Sequence, residues 1–208
     1  MFSLRDMCQQ VAVIPVLVVK ETSQAKPLAA ALVAGGLKVL EVTLRTPAAL
    51  EVIRLMSEVP GSQVGAGTVL TLADVKAAKA AGAQFAVSPG ATADLVKAAA
   101  DEGLPLLPGA STASEVMRLM ELGLDTLKFF PAEAAGGVPM LKSLYGPLPK
   151  VLFCPTGGIT EKTAANYLAL PNVMCVGGSW VTPDNLLQAG DWQAIQALAQ
   201  AAQALKKP

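Results

Sequence analysis

The segment VLFCPTGGITEKTAANYLAL, residues 151–170, contains the pattern that decides the fold. An apolar, β-prone run is followed by Gly157 and Gly158, and Thr160 then stands where a helix N-cap is expected. The residues after Thr160 are rich in good helix formers. The segment therefore predicts one strand, one glycine turn and one helix, which together form the repeating unit of α/β proteins.

Eight β-prone runs of this kind alternate with helical segments, and 208 residues divided among eight units leave 26 for each. Apolar strands in βα alternation form parallel sheets covered by helices, so we expect a single-domain (β/α)8 TIM barrel over residues 1–208. An open doubly wound sheet is the alternative, although it usually has fewer strands and no GxGxxG opens the first helix here. The runs are residues 11–19, 39–44, 63–69, 85–89, 105–109, 126–131, 151–158 and 173–180.

The helical segments carry recognisable start and stop signals. Thr46 precedes Pro47, which predicts an N-cap followed by proline at the first helical position. Thr71 and Thr112, each with an acidic residue three positions later, predict the starts of two further helices. Gly82 follows one of these helices, and three other helical segments also close on glycine.

Composition argues against nucleic-acid and membrane partners. The chain has 16 basic and 16 acidic residues and only 4% aromatic residues, so no basic nucleic-acid surface is expected. No apolar run approaches the ~18–20 residues that span a bilayer, and the N-terminus lacks a signal-peptide layout. The three cysteines, Cys8, Cys154 and Cys175, show no metal-binding spacing and suit a reducing compartment. We therefore expect a cytoplasmic protein.

The sequence contains no histidine. This excludes Ser-His-Asp and Cys-His nucleophilic catalysis as well as His-based zinc sites. Acid–base chemistry near neutral pH must therefore come from carboxylates, lysine, tyrosine, cysteine or bound water.

Lys128 interrupts an apolar run, TLKFFP, at residues 126–131. Lysine is among the residues least often fully buried, so this side chain either extends to solvent or is required where it lies. Because Phe129 and Phe130 follow it before the run ends, the second interpretation is favoured. Desolvation disfavours an ammonium, and a neutral amine can form a Schiff base with a carbonyl substrate. The rival candidate, Lys20, lies at the edge of its run and can reach solvent.

Glu41 and Arg45 lie on one face of the second predicted strand. A buried carboxylate needs a partner or a function, so Glu41 is either paired with Arg45 or acts as a general acid/base. The guanidinium of Arg45 has the fork geometry that holds a carboxylate. A surface arginine at the start of the next helix is an equally good interpretation of Arg45.

Glycine pairs end the last two predicted strands, in PTGGIT and VGGSW. Backbone N–H groups at a glycine turn and a helix N-terminus form an anion site, and the loops after strands seven and eight of many barrels bind phosphate. Two pairs on the two expected loops favour an anion site over simple turns.

Six motifs, taken in order, resemble those of the 2-keto-3-deoxy-6-phosphogluconate/4-hydroxy-2-oxoglutarate (KDPG/KHG) aldolase family. They are VLEVTLRT, VGAGTVL, AQFAVSPG, LKFFPAEAAGG, FCPTGGIT and VGGSW, and the resemblance covers nearly the whole chain. It implies a class I aldolase of carbohydrate metabolism, in the Entner–Doudoroff route, with a (β/α)8 barrel. It also implies that the enzyme needs no metal or other cofactor and assembles as a homotrimer.

The resemblance also assigns roles to individual residues. Lys128 matches the Schiff-base lysine of the family, and Glu41 matches the general acid/base. Arg45, Thr68, Pro89 and Phe130 match positions around the bound keto acid. The positions that match the phosphate or distal end of the substrate are Thr156, Gly157, Gly158, Gly178 and Ser179.

The reaction implied is cleavage of a 2-keto-4-hydroxy acid to pyruvate and an aldehyde, either glyceraldehyde 3-phosphate or glyoxylate. A phosphate-binding barrel isomerase or epimerase without a covalent intermediate is the alternative enzyme. A barrel kept only for binding or assembly is the non-enzymatic alternative. It is disfavoured because Lys, Glu and Arg side chains that converge in an apolar interior cost stability unless they are paired.

Overall fold

The structure is a computed structural model that describes residues 3–206, in which short strands alternate with α-helices. The strands are β1 Val13–Leu17, β2 Val39–Thr43, β3 Gln63–Gly67, β4 Phe85–Val87, β5 Leu106–Leu107, β6 Gly109–Ala110, β7 Thr126–Phe129, β8 Leu152–Pro155 and β9 Val176–Gly178. The helices are α1 Leu4–Gln9, α2 Ala25–Ala34, α3 Ala49–Ser57, α4 Leu72–Ala80, α5 Ala93–Asp101, α6 Ala113–Glu121, α7 Gly137–Tyr145, α8 Glu161–Leu168, α9 Asp184–Ala189 and α10 Trp192–Gln203.

Each of the eight predicted runs contains a strand, which confirms the βα alternation. The fifth run is divided by Pro108 into β5 and β6. Proline has no backbone N–H, so it interrupts the ladder of hydrogen bonds. The carbonyl of Pro108 still accepts a hydrogen bond of 2.8 Å from the backbone N–H of Lys128. This contact holds β7 beside the divided strand.

Neighbouring strands pair in parallel, as predicted for an α/β protein. One sheet has the order β5-β4-β3-β2-β1-β9, and a second has the order β6-β7-β8. The continuous ladder therefore forms a half-barrel sheet and not one eight-stranded ring. Two isolated parallel bridges, Phe153 with Val173 and Thr156 with Gly177, lie between the β8 segment and the β9 segment.

Large buried side chains and close glycine contacts shape the core. Phe129 and Phe153 meet edge to face with ring centroids 6.2 Å apart, and both are fully buried. A Cβ at Gly65 would lie 2.4 Å from the ring of Phe85, so glycine at this position makes room for that ring.

Within residues 3–206, no helix combines the length and apolar character needed to cross a bilayer.

The predicted helix starts are confirmed in most cases. Thr71 and Thr112 each form a capping box with the acidic residue three positions later. Thr160 precedes α8 as its N-cap residue. The prediction for Thr46 is wrong, because α3 begins at Ala49 after an Ala48 cap. The Thr46 hydroxyl instead donates to the carbonyl of Val19 at 2.7 Å. A contact with the segment after β1 thus takes the hydroxyl that would have capped the helix.

Gly35, directly after α2, tests the packing of this segment against α10. A Cβ at this position would lie 2.4 Å from Cβ of Ala199 and 2.8 Å from the carbonyl oxygen of Gln196, both in α10. We predict that Gly35→Ala lowers the free energy of unfolding by about 1–3 kcal/mol, because neither helical neighbour can move freely. Urea denaturation measures this loss. Gly146→Ala is the matched control, since no neighbouring atom lies within 4 Å of its added Cβ. Equal losses in the two variants would contradict the prediction.

Candidate active site

An ion pair lies in the interior between β7 and β2. The Lys128 Nζ donates to Oε1 of Glu41 at 3.3 Å, and the two residues are only 5% and 3% exposed. Lys128 therefore does not extend to solvent. Each charge partly offsets the cost of removing the other from water, so both can be held in an apolar interior. The contact also places a carboxylate within proton-transfer distance of a buried amine.

The Glu41 carboxylate occupies space left by a glycine on the neighbouring strand. A Cβ at Gly67 would lie 2.3 Å from Oε1 and 2.7 Å from Cγ of Glu41. A larger residue at position 67 would therefore displace the carboxylate. We did not predict this role for Gly67 from the sequence. The signal for it was the alternation of glycines in VGAG, which leaves one face of β3 without side chains at positions 65 and 67.

The Phe130 ring lies beside the amine, and the Pro89 carbonyl lies against the strand that pairs with the Lys128 strand. The ring centroid of Phe130 is 5.3 Å from Nζ of Lys128, within the range of a cation–π contact. Gly109 pairs in register with Lys128. A Cβ at Gly109 would lie 2.0 Å from the carbonyl oxygen of Pro89, so glycine there lets the Pro89 carbonyl approach the strand next to Lys128.

Arg45 and Thr68 form a second polar contact at the ends of β2 and β3. Arg45 is exposed, and its Nε donates to Oγ1 of Thr68 at 3.1 Å. Among the described residues, Thr68 is the non-glycine residue with a positive φ, 60°. Such strain is held only where the surroundings fix it, and it concentrates at functional sites. Glu41 forms its ion pair with Lys128, which leaves the other guanidinium nitrogens of Arg45 available for a ligand.

The residues predicted for the distal end lie where β8 and β9 end. Thr156 is buried and forms an isolated parallel β-bridge with Gly177. Ser179 is exposed and directly follows β9. Gly157 and Gly158 have φ values of 106° and 78°, which L side chains rarely adopt. This turn leads to Thr160 and the N-terminus of α8. Gly178 completes β9, and a Cβ there would overlap the ring of Trp180.

The three cysteines do not supply a competing nucleophile. Cys8, Cys154 and Cys175 are free and buried. Hydrogen bonds with the thiols of Cys154 and Cys8, followed by burial, raise the pKa of Cys175 well above its ordinary value. A thiol needs its thiolate form to act as a nucleophile, so Cys175 is inert near neutral pH. The buried amine of Lys128 is the candidate nucleophile that the sequence predicts.

Comparison with known proteins shows which family this chain resembles. The family model for KDPG and KHG aldolase matches residues 4–198. The 2-dehydro-3-deoxy-phosphogluconate aldolase of Pseudoalteromonas atlantica is 52% identical over 201 residues, which are 96% of this chain and 94% of that protein. The crystal structure of the 2-keto-3-deoxy-6-phosphogluconate aldolase of Zymomonas mobilis superimposes with a TM-score of 0.94 at 52% identity, over 99% of this chain and 98% of that one.

A third comparison concerns a reaction intermediate. The KDPG aldolase of Legionella pneumophila, crystallised with pyruvate captured as a covalent carbinolamine, is 48% identical, with a TM-score of 0.93. The match covers 96% of this chain and 97% of that one. Because the family model and these relatives span nearly the whole sequence, this chain belongs to the KDPG and KHG aldolase family.

Proposed function

We propose that the protein is a class I aldolase that cleaves 2-keto-4-hydroxy acids through a Schiff base on Lys128. Its substrates are 2-keto-3-deoxy-6-phosphogluconate, which gives pyruvate and glyceraldehyde 3-phosphate, and 4-hydroxy-2-oxoglutarate, which gives pyruvate and glyoxylate. The observation that carries the proposal is the buried contact of 3.3 Å between Lys128 Nζ and Glu41 Oε1. It brings a nucleophile and a proton acceptor together in an interior shielded from water.

The reaction begins when Glu41 takes a proton from the Lys128 ammonium and the freed Nζ attacks the C2 ketone. The proton then passes to the departing hydroxyl group, and loss of water gives an iminium ion. The iminium withdraws electrons from the C3–C4 bond. Glu41, directly or through a water molecule, takes the proton of the C4 hydroxyl, the C3–C4 bond breaks and the aldehyde leaves. Glu41 then returns its proton to C3 of the enamine. Hydrolysis takes up the water released earlier, frees pyruvate and regenerates the amine.

The side chains around this pair hold the keto-acid end of the substrate. Arg45 binds the carboxylate, because a guanidinium forms paired hydrogen bonds with carboxylate oxygens. Thr68 and the Pro89 segment lie around the same end of the substrate, and the ring of Phe130 covers the Schiff base. Glycine N–H groups in the turns after β8 and β9, together with Thr156 and Ser179, hold the phosphate or the distal carboxylate.

We also propose that the strands close into a (β/α)8 barrel. The bridges of Phe153 with Val173 and of Thr156 with Gly177 support closure between β8 and β9. On the other side, β5 and β6 belong to one run separated only by Pro108, so this run connects the two sheets. The free thiols of all three cysteines support a reducing compartment, the cytoplasm, as the location.

The resemblance and the surface of α6 support a homotrimer. Met117, Met120 and Leu122, in α6 or directly after it, are 37–55% exposed, and adjacent exposed apolar side chains are typical of subunit interfaces. We predict that sedimentation velocity gives a mass three times that of one chain at micromolar concentration. A species with the mass of a single chain across the same concentrations would contradict the trimer.

Covalent trapping tests the nucleophile. We predict that pyruvate and sodium borohydride leave one reduced pyruvate on Lys128, located by peptide mass spectrometry. Lys128→Ala should abolish the adduct and lower kcat by at least about 10³-fold, because the covalent route is lost. Lys20→Ala is the matched control, since Lys20 is exposed and should leave both measurements unchanged. An unmodified Lys128 would favour the isomerase or epimerase alternative, and turnover that survives in Lys128→Ala would contradict the role of Lys128 as nucleophile.

A second variant tests the position of the Glu41 carboxylate. Because a Cβ at Gly67 would overlap Oε1, we predict that Gly67→Ala lowers kcat/KM by about 10²-fold, the cost of moving a catalytic group by about 1 Å. Lys128 is untouched, so the variant should still form the borohydride adduct. Steady-state kinetics with circular dichroism as a folding check measure the effect, and Gly146→Ala serves as control. Wild-type kcat/KM in Gly67→Ala would show that Glu41 does not need this position.

A further inference from the structure

The loop after β7 is attached to the glycine turn after β8. The backbone N–H of Ala132 donates to the carbonyl of Thr156 at 2.8 Å, and that of Glu133 donates to the carbonyl of Gly157 at 3.1 Å. A Cβ at Gly157 would lie 3.3 Å from Cα of Pro131, so the two loops are also in close contact. The strand that carries Lys128 therefore leads directly into the segment that supports the turn.

The side chain of Glu133 crosses this turn and ends on α8. A Cβ at Gly158 would lie 2.8 Å from both Cβ and Cγ of Glu133, so the stem of the glutamate packs against the glycine. Its Oε1 accepts a hydrogen bond of 2.5 Å from the hydroxyl of Tyr167, a residue of α8 that is 1% exposed. The turn is thus held between the Glu133 side chain and the helix that follows it.

The chemistry of this hydrogen bond makes it a stable connection. Burial, and then the hydrogen bond to Glu133, raise the pKa of Tyr167 above its ordinary value, so its hydroxyl stays a donor at neutral pH. A hydrogen bond to a carboxylate is stronger than one between neutral groups. Gly157 and Gly158 have no side chains with which to hold their own backbone, so contacts from neighbouring segments limit the orientation of their N–H groups.

We propose that Glu133 and Tyr167 are positioning residues for the distal, anionic end of the substrate. Their hydrogen bond fixes the N–H groups of Gly157 and Gly158 relative to Lys128, without either side chain acting on the reacting carbons. The inference rests on the proposed aldolase activity, since the glycine turn must bind the substrate for its position to matter. The keto-acid end depends on Lys128, Glu41 and Arg45, none of which contacts this hydrogen bond.

Tyr167→Phe tests whether the distal end depends on this hydrogen bond while the keto-acid end does not. The variant removes one hydroxyl and keeps the buried ring. We expect KM for 2-keto-3-deoxy-6-phosphogluconate to rise about tenfold, as when a hydrogen bond to a charged group is lost, with kcat within about twofold of wild type. Pyruvate has no distal end. Exchange of its methyl protons with deuterium, followed by NMR, should therefore proceed at the wild-type rate. A merely structural role would lower the exchange rate as well.

Further variants test whether the hydrogen bond between Glu133 and Tyr167 is responsible for the rise in KM. Tyr145→Phe is the matched control, because Tyr145 at the end of α7 is 40% exposed. Glu133→Ala should reproduce the higher KM, and the double variant should add nothing, since both changes break one contact. Glu133→Gln keeps an acceptor oxygen and should restore most of the wild-type KM. If Tyr167→Phe does not fold, Glu133→Ala tests the same bond from an exposed side chain.

The outcomes separate this inference from the proposed function. Wild-type KM in Tyr167→Phe or Glu133→Ala would overturn the positioning role, and so would a parallel fall in pyruvate exchange. Failure of the wild-type protein to exchange pyruvate protons would instead overturn the aldolase mechanism, and the positioning role with it.

Discussion

The site depends on one constraint, an amine and a carboxylate that are held together away from water. Lys128 on β7 and Glu41 on β2 are 87 positions apart in the chain and belong to different sheets. An unpaired charge at either position would be costly, so the two strands must face each other for the interior to tolerate both. Gly67 is part of the same requirement, because its missing side chain leaves room for the carboxylate. The packing that makes the fold stable therefore also brings the proposed nucleophile to the proposed acid/base.

The two ends of the proposed site are built in different ways. The keto-acid end uses side chains on or next to strands, whose positions are set by the ladder and the core. The distal end uses backbone groups in turns, which are less rigid by nature and need other contacts to hold them. Those contacts come from the loop after β7, so both ends of the site are anchored to the strand that carries Lys128. Such an arrangement can accept different distal groups while the reacting carbons keep one geometry.

Much of this architecture could be predicted from the sequence, and the limits have physical causes. Apolar runs bounded by glycine and proline identified every strand segment, whereas the break at Pro108 was missed because the run PLLPG is apolar throughout. Thr46 carried a good N-cap signal, but a contact with the carbonyl of Val19 was the stronger alternative. Burial logic selected Lys128 and Glu41 individually. The choice between Lys128 and Arg45 as the partner of Glu41 required the three-dimensional structure, because a pattern along one strand reveals only neighbours on that strand.

The pairing of Glu41 with Lys128 rather than Arg45 has a consequence for the charge balance of the reaction. The lysine and glutamate charges cancel, so Arg45, which donates a hydrogen bond to Thr68, is the residue proposed to supply the positive charge for a keto-acid carboxylate. When the amine becomes an iminium in the proposed mechanism, the positive charge stays beside Glu41, and the substrate carboxylate stays beside Arg45. Neither pair has to separate while the carbon–carbon bond breaks. Groups that are already oriented do not have to reorganise during the reaction, and such preorganisation is a major source of catalysis in a water-excluded site.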